Sequence, residues 1–269
     1  NHDMVTVPAP GLNRDGSGWK SRIAGPLTGM VPNPEDRDEA VAYSRATLWK
    51  TTDGGQVFED SSTLFTGFAW SWWNDGIAFD KTNPDRFATF NNDVAMVVTH
   101  NTGDFFEHRN DGVWQMYDQG DIRWIGAYSG DFQPIEDSGV MVISVGGYFR
   151  TQLARTTDEG ASWELVTSGS EDEHLNLFVR FHPDDPQLVY AGNKISHDAG
   201  QTFERIDFGP YNDGEPYLVG LCDSNPDTVY AIDGDATSVL RSDDRAQSWY
   251  VYAAPQEGVR HRRLDRIPT

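Results

Sequence analysis

Apolar residues along this chain cluster in short runs of four to six, and turn-forming residues separate them. Gly76-Ile77-Ala78-Phe79 is followed by Asn83-Pro84-Asp85 and then by Phe87-Ala88-Thr89-Phe90. Leu177-Phe178-Val179-Arg180-Phe181, Asp185-Pro186-Gln187 and Leu188-Val189-Tyr190 repeat the order, as do Leu218-Val219-Gly220-Leu221, Asn225-Pro226-Asp227 and Val229-Tyr230-Ala231-Ile232. Asn33-Pro34-Glu35 precedes Ala40-Val41-Ala42-Tyr43 in the same way. Runs this short, bounded by Pro, Asn and Asp, are strands joined by tight turns. A 3.6-residue apolar period is absent over any useful length, so the pattern predicts almost no helix.

A second turn follows each pair of strands, with the form Ser/Thr-x-Asp-x-Gly-x-x-aromatic. It begins at Thr51, Thr156 and Ser196 in full form, with Asp53, Gly55 and Phe58, then Asp158, Gly160 and Trp163, then Asp198, Gly200 and Phe203. The copy from Ser242 keeps Asp244 and Trp249 but has Ala246 for Gly, and the copy from Thr99 has Asn101 for Asp, with Gly103 and Phe106. A carboxylate accepts turn N–H bonds, Gly takes positive φ without steric cost, and the aromatic opens the next strand. These residues are read as structural. The copies recur every 40 to 57 residues, which is the spacing of propeller blades. The fold class expected is all-β: a β-propeller of four-stranded antiparallel blades, five recognised and six in all. The blades fall at about 28–60, 75–109, 124–166, 176–207 and 216–252, in a single domain spanning 1–269. Residues 1–27 with 264–269 supply a closing blade, or the chain is part of a longer one. Met4-Val5-Thr6-Val7, Trp19-Lys20-Ser21-Arg22-Ile23 and Leu264 to Thr269 are the strand-like segments outside the five blades.

With these motifs the chain resembles the Asp-box (BNR-repeat) propellers, over roughly residues 28–252. That superfamily includes sialidases, xyloglucan-hydrolysing glycosidases, sortilin-type receptors and photosystem assembly factors. The resemblance implies the fold and leaves the activity open, because one fold hosts many functions. In the xyloglucanase type a catalytic Asp ends the second strand of the first blade; here Tyr43 to Trp49 holds no carboxylate. The sialidase-type Arg-Ile-Pro occurs as Arg266-Ile267-Pro268, after the fifth copy rather than before the first.

Propeller ligands meet the crossings that carry the chain from one blade to the next. Trp70, Trp72, Trp73 and Asp75 lie in the first crossing; Asp121, Arg123 and Trp124 end the second, which starts at Trp114. Glu173 lies in the third, and Tyr211, Asp213, Glu215 and Tyr217 in the fourth. Aromatic platforms with carboxylates and an Arg suit a sugar ring or a peptide segment. The last crossing carries Arg260, His261, Arg262 and Arg263, suited to a carboxylate or an acidic neighbouring subunit.

Composition narrows the partners. With 42 acidic and 21 basic residues the net charge is −21, which repels nucleic-acid phosphate and anionic lipid. No apolar run reaches the roughly 18 residues of a membrane helix, so no membrane insertion is expected. The single cysteine, Cys222, rules out an intrachain disulfide framework and reads as an inert thiol in a buried strand. The seven histidines show no ligand spacing, and Asp233-Gly234-Asp235 lacks the rest of a calcium loop, so no metal and no cofactor are expected. The leading reading is a non-catalytic extracellular, cell-surface or virion-surface module binding glycan or protein through its crossings. The alternatives are a glycoside hydrolase with its acids among Asp75, Asp121, Glu173, Asp213 and Glu215, and an assembly-factor-type propeller that docks a protein.

Overall fold

The computed structural model describes residues 29–33, 36–43, 48–61, 76–91, 95–122, 125–147, 150–166, 178–222, 224–234 and 238–253. The candidates Trp70, Trp72, Trp73, Asp75, Arg123, Trp124 and Glu173, the Arg260–Arg263 cluster and the segments assigned to a closing blade lie outside them.

Among the described residues, twenty strands form five four-stranded antiparallel sheets arranged as a β-propeller. Blade 1 is β1 (Gly29–Pro32), β2 (Ala40–Tyr43), β3 (Leu48–Thr51) and β4 (Glu59–Asp60). Blade 2 is β5 (Ile77–Phe79), β6 (Phe87–Asn91), β7 (Ala95–Thr99) and β8 (Phe106–His108). Blade 3 is β9 (Ala127–Phe132), β10 (Met141–Gly147), β11 (Arg150–Thr156) and β12 (Glu164–Leu165). Blade 4 is β13 (Val179–His182), β14 (Asp185–Ala191), β15 (Lys194–Ser196) and β16 (Glu204–Arg205). Blade 5 is β17 (Tyr217–Leu221), β18 (Val229–Ile232), β19 (Val239–Ser242) and β20 (Tyr250–Ala253). The first strand of each blade is innermost: Val179 N–H donates to Ser129 Oγ at 3.0 Å and Phe181 N–H to Asp131 Oδ2 at 2.9 Å, joining β13 to β9.

Apolar cores lie between successive blades, because blades 2 to 4 bury apolar residues on both faces. Val41, Leu48, Phe79, Phe87 and Phe106 fill the space between blades 1 and 2. Phe90, Met96, Ile143 and Trp163 fill the next. Val142, Leu153, Phe181 and Val189 follow, then Phe178, Tyr190, Leu218 and Leu240 between blades 4 and 5. The aromatic residue closing each of the last four turns enters the core on its preceding side, Phe106 with its ring 5.5 Å from Phe87 and Trp249 4.9 Å from Phe208.

All five turns share one hydrogen-bond scheme. The first hydroxyl donates to the third residue and accepts the N–H of the fifth. Thr51 Oγ1 donates to Asp53 Oδ1 at 2.8 Å and accepts Gly55 N–H at 3.0 Å. Asn101 does the same work with its amide oxygen, taking Thr99 Oγ1 and Phe105 N–H at 2.9 Å each. In the third, fourth and fifth copies a seventh-position hydroxyl also donates, as Ser162 Oγ does to Asp158 Oδ2 at 2.6 Å. The fourth and fifth residues of each copy have positive φ, and Ala246 at +69° shows that the fifth copy keeps this shape without Gly. The fourth residue's N–H bonds the neighbouring hairpin: Thr102 to Asp85 O, Glu159 to Gly139 O, Ala199 to Gln187 O and Arg245 to Asp227 O, at 2.8–3.0 Å.

Each later turn is also fastened to the blade before it. Lys50 Nζ donates to Thr102 Oγ1 at 2.5 Å, and Ser61 Oγ donates to Gly103 O. Trp163 Nε1 donates to Arg109 O at 2.8 Å, Arg155 Nε to Ala199 O at 2.9 Å, and Arg245 Nη1 reaches Asp185 Oδ2 at 3.4 Å.

The turn aspartates are held below the ordinary 3.8. At Asp53 the Val57 amide is the main cause, followed by the Thr51 hydroxyl. At Asp158 it is the Ser162 hydroxyl. At Asp198 and Asp244 burial is the largest single influence and pushes upward, but the hydrogen bonds from Thr202, Ser196 and Gln201, and from Ser248, Ser242 and Gln247, together outweigh it. A folded value below the unfolded one adds stability that is full above the unfolded value and is lost as pH falls through the folded one. Asp131 opposes this: burial, offset in part by Arg180 and Lys81, raises its value. The urea midpoint should therefore hold from neutrality down to about pH 4 and fall below it. A midpoint unchanged at pH 3 would contradict the scheme. In the Asn101 turn the acceptor is an amide oxygen, which does not titrate, so the amide of Phe105 should stay protected from exchange in acid after those of Ser162 and Thr202 have opened.

One crossing is built otherwise than as a loop, and one expectation is corrected. The second crossing holds a nine-residue helix, α1 (Asp111–Gln119), ended by Gly120 at φ +80°. Its apolar contacts are made by only Val113 and Met116, with Gly112 against Trp163, too sparse a stripe to show a helical period. Cys222 is not in a buried strand. It follows β17, is half-buried, and its N–H bonds Thr228 O at 3.0 Å while Sγ lies 3.4 Å from Ser224 Oγ. It opens the hairpin turn at the place taken by Asn33, Asp80 and Gln133 in blades 1 to 3.

Candidate functional site

The turn carboxylates are committed to backbone N–H groups and hydroxyls, which leaves the crossings as the place for a site. Two crossings are described in their central parts, and they are built differently.

The second crossing leaves β8 through Asn110. That side chain clamps Met96, accepting its N–H at 3.1 Å and donating to its carbonyl at 2.6 Å. The clamp sets the start of α1, whose inner side, Val113 and Met116, joins Ile122 and Ile125 in the core between blades 2 and 3. An added Cβ at Gly112 would lie 2.6 Å from the Trp163 backbone nitrogen, so Gly is what lets the helix approach β12. The outer side presents Trp114 and Tyr117, 46% and 43% exposed, with Asp111, Asp118 and Asp121 also exposed. An exposed Trp and Tyr one helical turn apart on a fixed helix form a platform of large, stiff, amphipathic rings. Asp121, singled out from sequence, lies just past this helix. Trp114 and Tyr117 were missed as site residues because the segment was read as a loop; the Trp-x-x-Tyr spacing was the available signal.

The fourth crossing is a 3₁₀ helix, Gly209–Gly214, leading into β17. Asp207 anchors it by accepting Gly209 N–H at 2.8 Å and Asn212 Nδ2 at 2.7 Å, while Asn212 Oδ1 takes Phe208 N–H at 2.9 Å. These donors hold the Asp207 carboxyl below its ordinary value, Asn212 first and Gly209 second. Gly234 N–H bonds Gly214 O at 2.5 Å, and an added Cβ there would lie 2.2 Å from the same oxygen. The crossing is thus pinned at both ends. Asp213 and Glu215 point to solvent, with Glu215 at φ +48°. Tyr211 is half-buried against the core between blades 4 and 5, so it supports the crossing. Tyr217 stands 36% exposed at the head of β17, and burial, with Asp233 second, raises its hydroxyl above the usual range.

One concavity among the described residues lies elsewhere, a groove of about 630 Å³ on the rim between blade 4 and the fifth turn, floored by Leu188, Ile195, Ile206 and Ala246. Charges of both signs edge it, including Asp185, Glu204, Arg205 and Arg245. None of the sequence candidates lines it. Among the described residues no three His, Cys, Asp or Glu side chains converge as a metal site.

No family model and no curated protein matches the chain. Solved structures do. The GH74 xyloglucanase from Xanthomonas campestris aligns at a TM-score of 0.62 and 13% identity, over 85% of this chain and 38% of that one. An ancestral GH74 enzyme aligns at 0.62 and 16% identity, over 85% and 31%. The GH74 enzyme from Niastella koreensis aligns at 0.52 and 11% identity, over 83% and 30%. The chain therefore spans about a third of the length of these enzymes. At such identities the likeness is one of fold, and that fold is the β-propeller.

Proposed function

We propose that this chain is an Asp-box propeller module that binds glycan through its crossings without cleaving it, in an extracellular or surface-exposed setting. The observation that supports the reading is the Trp114 and Tyr117 pair, exposed on a helix that is clamped by Asn110 and packed on Trp163. Aromatic faces stack on the C–H faces of sugar rings, and the carboxylates of Asp118 and Asp121 accept hydroxyl bonds at the platform's edge. Preorganisation matters because ordering a loop on binding consumes affinity. The fourth crossing, with Asp213 and Glu215, is held at both ends by its own hydrogen bonds.

The test is affinity electrophoresis in gels containing xyloglucan, the polysaccharide suggested by the fold neighbours, with reducing-end release measured on the same samples. Retention without release is expected. Trp114→Ala should weaken retention about tenfold, near 1.4 kcal/mol, the usual size of a good aromatic contact. It should leave the unfolding midpoint nearly unchanged, since the side chain is about half exposed. Release of reducing ends would favour the hydrolase reading. Absence of retention on xyloglucan and on a broad glycan array would sink the glycan reading and leave protein docking.

A further inference from the structure

The outward face of α1 sets aromatic and acidic side chains in alternation. At about 100° per residue, Asp111, Trp114 and Asp118 point within about 60° of one another, with Tyr117 beside them. Gly112, Val113 and Met116 point the opposite way and are buried, while the four outward residues are exposed. Along the axis, Asp111 and Asp118 lie about 4.5 and 6 Å to either side of Trp114. The sequence puts no cation among them: Asn110 to Ile122 holds three aspartates and no Lys, Arg or His. Arg109, just before the helix, is tied to Glu107 by bonds from Nε at 3.1 Å and Nη2 at 2.9 Å. Arg123 follows, outside the described residues; set against Asp121, it still leaves Asp111 and Asp118. The C-terminal end of the helix adds partial negative charge beside Asp118.

A neutral sugar matches this face poorly. Its hydroxyls can bond the carboxylates, but each carboxylate keeps its charge beside an apolar ring, partly stripped of water. An ammonium compensates that charge and is also drawn to the face of a Trp or Tyr ring. An amino sugar supplies the ammonium and a ring that stacks. A lysine-rich protein segment carries the same charge, but peptides are seated by grooves or strand edges, and a helix surface is convex. Flat sugar rings need only the two aromatic faces.

We propose, on the basis of the glycan reading above, that the glycan met by α1 is a chain of deacetylated hexosamine, such as β-linked glucosamine. Its rings lie on Trp114 and Tyr117, and its ammonium groups pair with Asp111 and Asp118. Exposed ion pairs and a cation–π contact are individually weak, and together they favour this chain over its neutral counterpart by about tenfold. The preference falls with salt, because roughly 1 M salt shortens electrostatic reach to about 3 Å.

The test is isothermal titration of the full chain at about pH 5.5, below the range in which primary amines lose their proton. Glucosamine hexamer and cellohexaose share backbone and linkage and differ only in carrying an amine or a hydroxyl beside the anomeric carbon. The glucosamine hexamer is expected to bind about tenfold tighter, with the ratio falling toward one in about 1 M sodium chloride. Asp111→Asn with Asp118→Asn should also bring the ratio near one. Glu136→Gln with Asp137→Asn removes the same charge from the exposed β9–β10 turn, at the end of blade 3 away from the crossings, and should leave the ratio unchanged. Both pairs of substitutions keep exposed polar side chains, so folding is retained. An equal drop in the two double variants would trace the preference to overall acidity and overturn the proposal. A lysine hexamer bound as tightly as the amino sugar would assign the face to a protein segment and overturn it as well. Equal affinities for the two sugars would overturn the cationic class and leave the glycan reading standing, whereas binding of neither would remove both.

Discussion

Arg86→Ala should cost about 3–5 kcal/mol of folding stability, the largest loss expected from a single side chain here. Arg86 and Asp80 are both almost fully buried. Arg86 Nε donates to Asp80 Oδ2 at 2.7 Å, Nη1 to Glu159 Oε1 at 2.5 Å and Nη2 to Ser138 O at 3.2 Å, with the Phe132 ring 5.1 Å away. One guanidinium therefore joins the β5–β6 hairpin to the third turn and to the β9–β10 hairpin. Removing it strands a buried carboxylate whose other oxygen is already held by Thr82 N–H and Oγ1, at 2.8 Å each. The loss should appear as a lower guanidinium or urea midpoint with little change in slope. Arg86→Met combined with Asp80→Leu should recover a good part of it, because the damage lies in the uncompensated charge. A single variant within 1 kcal/mol of the parent would show that solvent reaches Asp80 freely.

Gly200→Ala should cost about 3 kcal/mol, from roughly 1–2 for a left-handed backbone and a further 1–3 for overpacking. Gly200 has φ +81°, and an added Cβ would sit 2.4 Å from Val142 Cγ2. Val142 is itself fully buried in the core between blades 3 and 4, so it has little room to yield. Gly120→Ala is the control. Its φ is +80°, but nothing lies within 4 Å of the added methyl, so only the backbone cost of about 1 kcal/mol should remain. Ala246 occupies the corresponding place in the fifth turn at φ +69°, which already shows that backbone strain there is tolerable. Equal losses for the two variants, measured by denaturant unfolding, would mean that Val142 moves aside easily.

The propeller was legible in the sequence because its punctuation is local. Asp, Gly and the Pro turns act within a few residues, and their regular return fixes the blade unit. Even the Asn101 copy keeps the same bonds, since an amide oxygen accepts as a carboxylate does. The fastening between blades was not legible. Arg86 meets Glu159 across 73 positions, and Arg155 meets Ala199 across 44; no spacing rule relates them. The aromatic pair on α1 was hidden for a related reason. The helix is short, and its buried side is completed by Gly112 and by Trp163 of the next blade, so the apolar pattern is divided between two segments. Of the sequence candidates in the described part, Asp121, Asp213, Glu215 and Tyr217 reach the surface, while Tyr211 serves as packing.

The fastenings all run one way. A turn reaches back to a blade that precedes it in the chain: Thr102 and Gly103 to blade 1, Trp163 to Arg109, Ala199 to Arg155, and Arg245 to Asp185. On a ribosome, the earlier partner of every such bond has already been made when the later one emerges. Each blade is born facing its own template, and assembly acquires a direction from the order of synthesis.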